Sequence, residues 1–274
     1  GGEASLLRND DEGYNFDLIH ILMAREGADI SIVFLPSEQV SAETTKRLVE
    51  KENIQCLLIP RELRDLNFCR EAEGKHVAKL SEVNVLVNNA SKQYMCKEFS
   101  EINLEKIQDV FKTNIIQMVA LAKLAVSRRL LRPTYASLMV VIRSYTQRRT
   151  KNTSSVVTFR GSGTILDYAV TKGAIIRFTR SLGAHLIPKD IRVNTVAPGA
   201  LYTPIQVDTR EARQIEGWGS KAGLGQRSKV ATSFVFLASA DASLYCRPAG
   251  SALLSHSGTR DLTSTLVYYS IEQI

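Results

Sequence analysis

Tyr168 and Lys172 stand four residues apart in LDYAVTKGAIIRFTRSLGAHL (166–186), where Ile175, Phe178 and Leu182 continue a helical spacing. On a helix the two side chains lie one above the other. A phenol with its ordinary pKa of about 10 is a poor base at neutral pH, and a neighbouring ammonium lowers that value by favouring the phenolate. Such a pair can act as a general acid/base. Y-x-x-x-K also arises by chance in many helices, so its company decides its meaning. Ser155 closes NTSS thirteen residues before the tyrosine, Asn114 lies inside a long helical pattern, NNA (88–90) ends an apolar run, and VNTVAPGALYT (193–203) follows the Tyr/Lys helix. Singly these are a turn serine, a solvated asparagine and a Pro-Gly turn. Together and in this order, coincidence is improbable.

The elements that must position these residues alternate. ADISIVFL (28–35), IQCLLIP (54–60) and VNVLVNNA (83–90) read as short buried strands, and IRVNTVAPG (191–199) as another. SAETTKRLVEKEN (41–53), with Ser41 at its start, and LNFCREAEGKHVAKL (66–80) read as helices between them. NLEKIQDVFKTNIIQMVALAKLAV (103–126) places Leu104, Ile107, Val110, Phe111, Ile115, Met118 and Leu121 on one wide apolar face. Strand and helix in alternation imply a parallel sheet with helices on both faces.

With 44% hydrophobic and 23% charged residues in 274, the chain has the composition of one large globular α/β domain. Asp10, Asp11, Glu12 and Asp17 break the basic-then-apolar order of a signal peptide, and no apolar run approaches the roughly 20 residues of a membrane span, so a cytoplasmic protein is expected. Cys56, Cys69, Cys96 and Cys246 and the four histidines match no metal-ligand spacing; reduced, mostly buried thiols and no metal are expected. The net charge of +7 is local: seven basic residues and no acidic one lie between Ser127 and Ser155. A solvated insertion accounts for that run better than a nucleic-acid surface, for which only Tyr135 and Tyr145 could interleave.

The motifs AREGAD, NNA, TNI, NTSS, RGSGTILDYAVTKGA, VNTVAPG and ATSFVFLASADAS, in this order over about 24–126 and 152–245, resemble the classical short-chain dehydrogenase/reductase family. The resemblance implies a single Rossmann-type domain, a doubly wound parallel sheet, over residues 1–246, and a hydride transfer between NADP(H), with NAD(H) as the alternative, and a small ketone, aldehyde or secondary alcohol. It further implies that Tyr168 is the acid/base, that Lys172 lowers its pKa and binds the nicotinamide ribose, that Ser155 polarises the substrate oxygen, and that Asn114 kinks its helix and anchors a proton-relaying water. Asn89 and Ala90 would border the adenine-side ribose, Glu62 the adenine, and Pro198, Gly199, Leu201 and Thr203 the nicotinamide and diphosphate. Phe34 and Leu35 offer no acid to a ribose 2′-hydroxyl, which tilts the cofactor toward NADP. A homodimer or homotetramer through the helices of Asn114 and Tyr168 also follows from the resemblance. Gln93, Tyr94, Val157, Tyr202 and Trp218 are the residues expected to shape the substrate pocket.

The chain departs from the family in four places. Gly1 and Gly2 begin the remnant of a dinucleotide loop in which Ser5 and Leu7 replace the later glycines, and the family's first strand is missing before it. ASLMVVI (136–142) reads as the strand before the serine loop, with RSYTQRRTK (143–151) as an insertion. Residues 247–274 form a divergent tail, and a smaller deletion lies near GQRSKVA (225–231). Boundaries this abrupt suggest inserted or replaced blocks of coding sequence. A catalytically inactive binding or interface protein is the alternative to an enzyme.

Overall fold

The computed structural model describes residues 17–61, 66–80, 83–127, 139–142, 148–199, 201, 227–242 and 266–269. In chain order these form α1 (Asp17–Arg25), β1 (Ala28–Phe34), α2 (Gln39–Glu50), β2 (Cys56–Pro60), α3 (Leu66–Leu80) and β3 (Val85–Asn88). They continue with α4 (Leu104–Phe111), a π turn (Lys112–Ile116), α5 (Gln117–Ser127), β4 (Met139–Ile142), β5 (Arg148–Thr153), α6 (Val157–Arg160) and α7 (Leu166–Leu186). Strand β6 (Ile191–Pro198), α8 (Arg227–Ala238) and β7 (Leu266–Tyr269) complete them. The strands make one sheet in the order β2-β1-β4-β3-β5-β6-β7.

Alternation along β1 decides its two faces. Ala28, Ile30, Ile32 and Phe34 join Ile19, Met23 and Ala24 of α1 and Val230, Ala231, Phe234, Leu237 and Ala238 of α8 in the main core. Val33, on the opposite face, packs with Ile59, Phe68 and Ala72 under α3. Leu86 of β3 meets Leu121, Ala122 and Ala125 of α5 on that same side. Helices therefore cover both faces, as the alternation of elements predicts, and the chain has the expected doubly wound α/β architecture. One helix start shifts: α2 begins at Gln39, two residues before Ser41, because a 3₁₀ turn at Pro36–Glu38 leads into it. Gly27, at φ 84°, supplies the left-handed turn between α1 and β1.

The basic run is where the structure corrects the sequence most. Residues 148–151 do not belong to an insertion: they lie in β5, paired in parallel with β3 (Val87 opposite Lys151) and with β6 (Lys151 opposite Asn194). Lysine reads as solvated because a buried ammonium needs partners. Lys151 has one, since its fully buried Nζ donates to the Phe234 carbonyl of α8 at 2.7 Å. Arg192 on β6 does the same at the end of that helix, donating to the carbonyls of Ser239 at 2.9 Å and Ala242 at 2.6 Å. Ser239 directly follows the last residue of α8 and Ala242 closes the 3₁₀ turn after it, and a cation suits the negative end of a helix.

The apolar run before it is a strand, but not the one that delivers the serine loop. Met139–Ile142 lies between β1 and β3 and is antiparallel to both, with Ile30 and Val85 opposite Val140. It occupies an interior position of the sheet, flanked by a strand on each side. The tail also contributes, because Leu266–Tyr269 pairs in parallel with Thr195–Pro198 at the edge of the sheet.

Candidate active site

Parallel register brings the carboxyl ends of β3, β5 and β6 to one edge: Asn88 is opposite Asn152, and Asn152 opposite Thr195. A polar ladder ties these ends together. Asn88 Nδ2 donates to Asn152 Oδ1 at 2.9 Å, Asn152 Nδ2 to Thr179 Oγ1 of α7 at 2.9 Å, and Thr195 Oγ1 to the Asn152 carbonyl at 2.9 Å. Inside a buried site such bonds rigidify, since each unmade one leaves a desolvated group. Neither Asn152 nor Thr179 stood out in the sequence; the N-T spacing recurring in NTSS and VNTV was the available signal.

The loop from β5 follows β6 for two further bonds, Ser154 N to Val196 O at 2.8 Å and Val156 N to Pro198 O at 3.0 Å. Ser154 Oγ donates to the carbonyl of Lys172 at 2.8 Å, which docks the loop on α7. Between these anchors Ser155 turns its hydroxyl to the phenol of Tyr168 and accepts from Val157 N at 3.4 Å. Gly161, at φ 72°, ends the short α6 and sends the chain back toward α7.

Lys172 is 2% exposed, and its Nζ lies 5.1 Å from the Tyr168 ring centroid and donates to the Thr153 carbonyl at 2.8 Å. Burial lowers its pKa from 10.5 to about 7. The expected effect on the tyrosine is not found: burial pushes the Tyr168 phenol up to about 12, and the hydrogen bond with Ser155 is what opposes it. The physical reason is that burial of the phenol disfavours its charged form more than the Ser155 hydrogen bond favours it. Tyr168 is therefore protonated throughout the neutral range, the form that can give a proton to a developing alkoxide.

Asn114 sits in the π turn, where Gln117 N reaches back to Lys112 O and interrupts the regular helix. Its side chain is fully used. Oδ1 accepts from Lys92 N at 2.8 Å, and Nδ2 donates to Lys92 O at 2.9 Å and to Thr171 Oγ1, beside Lys172, at 3.0 Å. Asn114, Ser155, Tyr168 and Lys172 thus converge at one end of α7.

The cofactor-side residues divide. Asn89 is at the same edge and accepts from Thr153 Oγ1 at 2.9 Å. Ala90, Pro198, Gly199 and Leu201 are described there too, Leu201 against the main core. Gly1, Gly2, Ser5, Glu62 and Thr203, with Tyr202 and Trp218, lie outside the described residues. Ser91, which sequence reasoning passed over, follows Ala90 with a buried hydroxyl that lacks a hydrogen-bond partner among the described residues, a group free to meet a polar ligand. Two charged residues at the far end of the edge were also missed. Arg61 N donates to Phe34 O at 2.8 Å, setting an exposed guanidinium-bearing residue beside the end of β1. Glu38 Oε2 accepts from Leu35 N at 3.2 Å. The described part of the edge therefore fits a dinucleotide.

The family profile described as "Enoyl-(Acyl carrier protein) reductase" matches residues 19–246. "Uncharacterized oxidoreductase YhxC" of Bacillus subtilis is 35% identical over 243 residues, 88% of this chain and 79% of its own. This chain is a short-chain dehydrogenase/reductase. Among other members of that oxidoreductase family, "NADPH-dependent aldehyde reductase 1, chloroplastic" of Arabidopsis thaliana is 30% identical over 252 residues, covering 89% of this chain and 82% of its own. A short-chain dehydrogenase from Burkholderia cenocepacia, solved in complex with NADP, shares the fold with a TM-score of 0.68, at 22% identity over 82% of this short-chain dehydrogenase/reductase and 85% of that chain. Among the described residues of this family member no helix is long and apolar enough to cross a membrane, and no cluster of metal-ligating side chains occurs.

Proposed function

We propose that this short-chain dehydrogenase/reductase reduces a small ketone or aldehyde with NADPH, and runs the reverse oxidation of a secondary alcohol. The observation that carries the reading is geometric: the Tyr168 phenol is hydrogen-bonded to Ser155, and the buried Lys172 places its Nζ 5.1 Å from the Tyr168 ring. NADPH, when bound, supplies the hydride. Tyr168 gives its proton to the carbonyl oxygen, and the Ser155 hydroxyl donates a hydrogen bond to the same oxygen as charge builds on it. Lys172, Asn89, Ala90, Ser91, Pro198, Gly199 and Leu201 would line the cofactor, joined by Gly1, Gly2, Ser5, Glu62 and Thr203. Asn114 holds segment 92–96 against Thr171, which keeps Lys172 in place.

Arg61 supports NADP: its backbone is bonded to Phe34, and its guanidinium, over the Phe68 ring at 5.7 Å and 3.8 Å from the exposed Glu71 carboxylate, is the cation that a 2′-phosphate at this corner would recruit; the Arabidopsis relative, named for NADPH, points the same way. Glu38 favours NAD as the second reading, because its carboxylate reaches the same corner and could accept a ribose hydroxyl. The catalytic domain spans 1–246, with the tail 247–274 adding its edge strand. Exposed Leu104 (64%), Ile116 and Val170 (58%) on the helices of Asn114 and Tyr168 support a homodimer or homotetramer. Among the described residues Cys56, Cys69 and Cys96 form no disulfide, which suits a reducing, cytoplasmic setting.

Fluorescence titration with NADPH and NADH, followed by turnover of a carbonyl panel at 340 nm, tests this reading. NADPH is expected to bind more tightly than NADH, Arg61→Ala to weaken NADPH about tenfold while sparing NADH, and Tyr168→Phe to cut turnover by about 10²–10⁴ with cofactor affinity intact. Cofactor binding without turnover in the wild type would point instead to an inactive binding protein, and no binding of either nucleotide would end the oxidoreductase reading.

A further inference from the structure

The catalytic helix α7 starts without an ordinary cap: Ile165 occupies that position, and no side chain there accepts a hydrogen bond. Asp167, inside the first turn and 8% exposed, does the work from within. Its carboxylate accepts from the amide of Tyr168 at 2.7 Å, from its own amide, and from the amide of Tyr94. The first two are donors that a helix start leaves unpaired, and a carboxylate suits the positive end of the helix. The third belongs to the segment after β3.

That segment is fastened at alternate residues along its backbone. Lys92 exchanges both main-chain bonds with Asn114, Tyr94 N meets Asp167, and Cys96 N donates to Thr164 O at 2.9 Å. The Tyr94 hydroxyl donates to Asp109 Oδ2 at 2.8 Å, where Lys92 Nζ also pairs at 2.6 Å. Gln93, buried, lies between the fastened positions. Lys92 and Cys96 are held by groups to either side of the tyrosine, whereas Tyr94 is held by the residue directly before Tyr168. With that bond intact the segment and the first turn of α7 move together, and loosening it lets one shift without the other.

We propose that Asp167 is a positioning residue, tying segment 92–96 to the first turn of α7 and so fixing where the Tyr168 hydroxyl stands against the substrate carbonyl. The proposal deepens the carbonyl-reductase reading and rests on it for its kinetic consequence. A neutral side chain of the same shape keeps an acceptor oxygen but loses the charge-assisted part of three bonds. A methyl group loses all three.

Full-length wild type, Asp167→Asn and Asp167→Ala are compared by amide hydrogen exchange at Tyr94, by the chemical shift of Tyr168 in protein labelled at tyrosine Cζ, and by kinetics. In Asp167→Ala the Tyr94 amide is expected to exchange at least about tenfold faster, and kcat/KM for the carbonyl to fall about tenfold with KM raised and the NADPH Kd unchanged. The Tyr168 signal shifts as well, and Asp167→Asn recovers part of each effect. If Asp167→Ala does not fold, Asp167→Asn carries the same readings at smaller amplitude. Unchanged Tyr94 exchange and Tyr168 shift in folded variants overturn the proposal, and so does faster Tyr94 exchange with kcat/KM intact. Should the wild type turn over no carbonyl, the enzymatic reading fails by itself, while exchange and chemical shift still decide whether Asp167 ties the two elements.

Discussion

From β3 through β5 to β6 the strands run in parallel, and their carboxyl ends are knit by Asn88, Asn152 and Thr195 into the edge that carries Ser155 and faces α7. From β1 to β3 the sheet reverses direction through β4, whose last residue Ile142 lies opposite the first residue of β1, Ala28. A parallel strand in that place would deliver its carboxyl end to the active edge; β4 delivers its beginning. The β3-β5-β6 half and the β2-β1-β4 half of one sheet are thus built to different plans. Acid/base chemistry needs a few side chains on adjoining rigid elements, and a short conserved geometry suffices. Holding a pyrophosphate needs close backbone approach at the end of a central strand, a demand on the whole register of the sheet.

The largest expected effect that sharpens this contrast comes from Lys172. Its folded pKa of about 7 lies below the ordinary 10.5, so the unfolded chain binds a proton that the folded one has lost between those values. Wild-type stability should therefore rise with pH from about 7 toward 10.5, by up to about 5 kcal/mol, and Lys172→Met should abolish the rise. Urea unfolding at pH 6, 8 and 9.5 reads it; parallel curves for the two proteins would place the ammonium in a far more polar setting. Phe234→Ala, which removes a buried ring of the core that α8 presses onto β1, should cost about 3–5 kcal/mol in the same experiment.

Val140→Pro probes the other half. Proline removes a ladder donor from a strand with neighbours on both sides, and a loss of about 1–3 kcal/mol is expected. An unchanged midpoint would mean that β4 contributes nothing to the sheet, and the two halves would differ even more than described. The smallest of the effects is Asn152→Ala, about 1–2 kcal/mol, from leaving Asn88 and Thr179 without their partner. Because Asn152 stiffens the edge beneath the site, turnover should drop along with stability, whereas Val140→Pro should act first on cofactor affinity.

Elements with one clean period were legible in the sequence. The spacing over 66–80 and 166–186 coincides with α3 and α7 residue for residue, and the four proposed strands shortened by only one to four residues. The convergence of Asn114, Ser155, Tyr168 and Lys172 was legible because it depends on short spacings within and next to those elements. RRTKNT was not legible as β5, since charge marks solvent in a sequence. A carbonyl of a helix 83 residues away makes Lys151 an interior residue. Asp167 was equally hidden: beside a tyrosine on a helix it is one more acid in a first turn, until Tyr94 comes to it through space.

By itself the sequence determined the class of fold, the family and the spacing that brings Asn114, Ser155, Tyr168 and Lys172 together, because hydrophobic period and local spacing are properties of the chain alone. Only the tertiary structure decided which run becomes the central strand and in which direction, how far burial moves Lys172 and Tyr168, and what holds the first turn of α7. Desolvation, strand polarity and long-range hydrogen bonds exist only once distant segments have met.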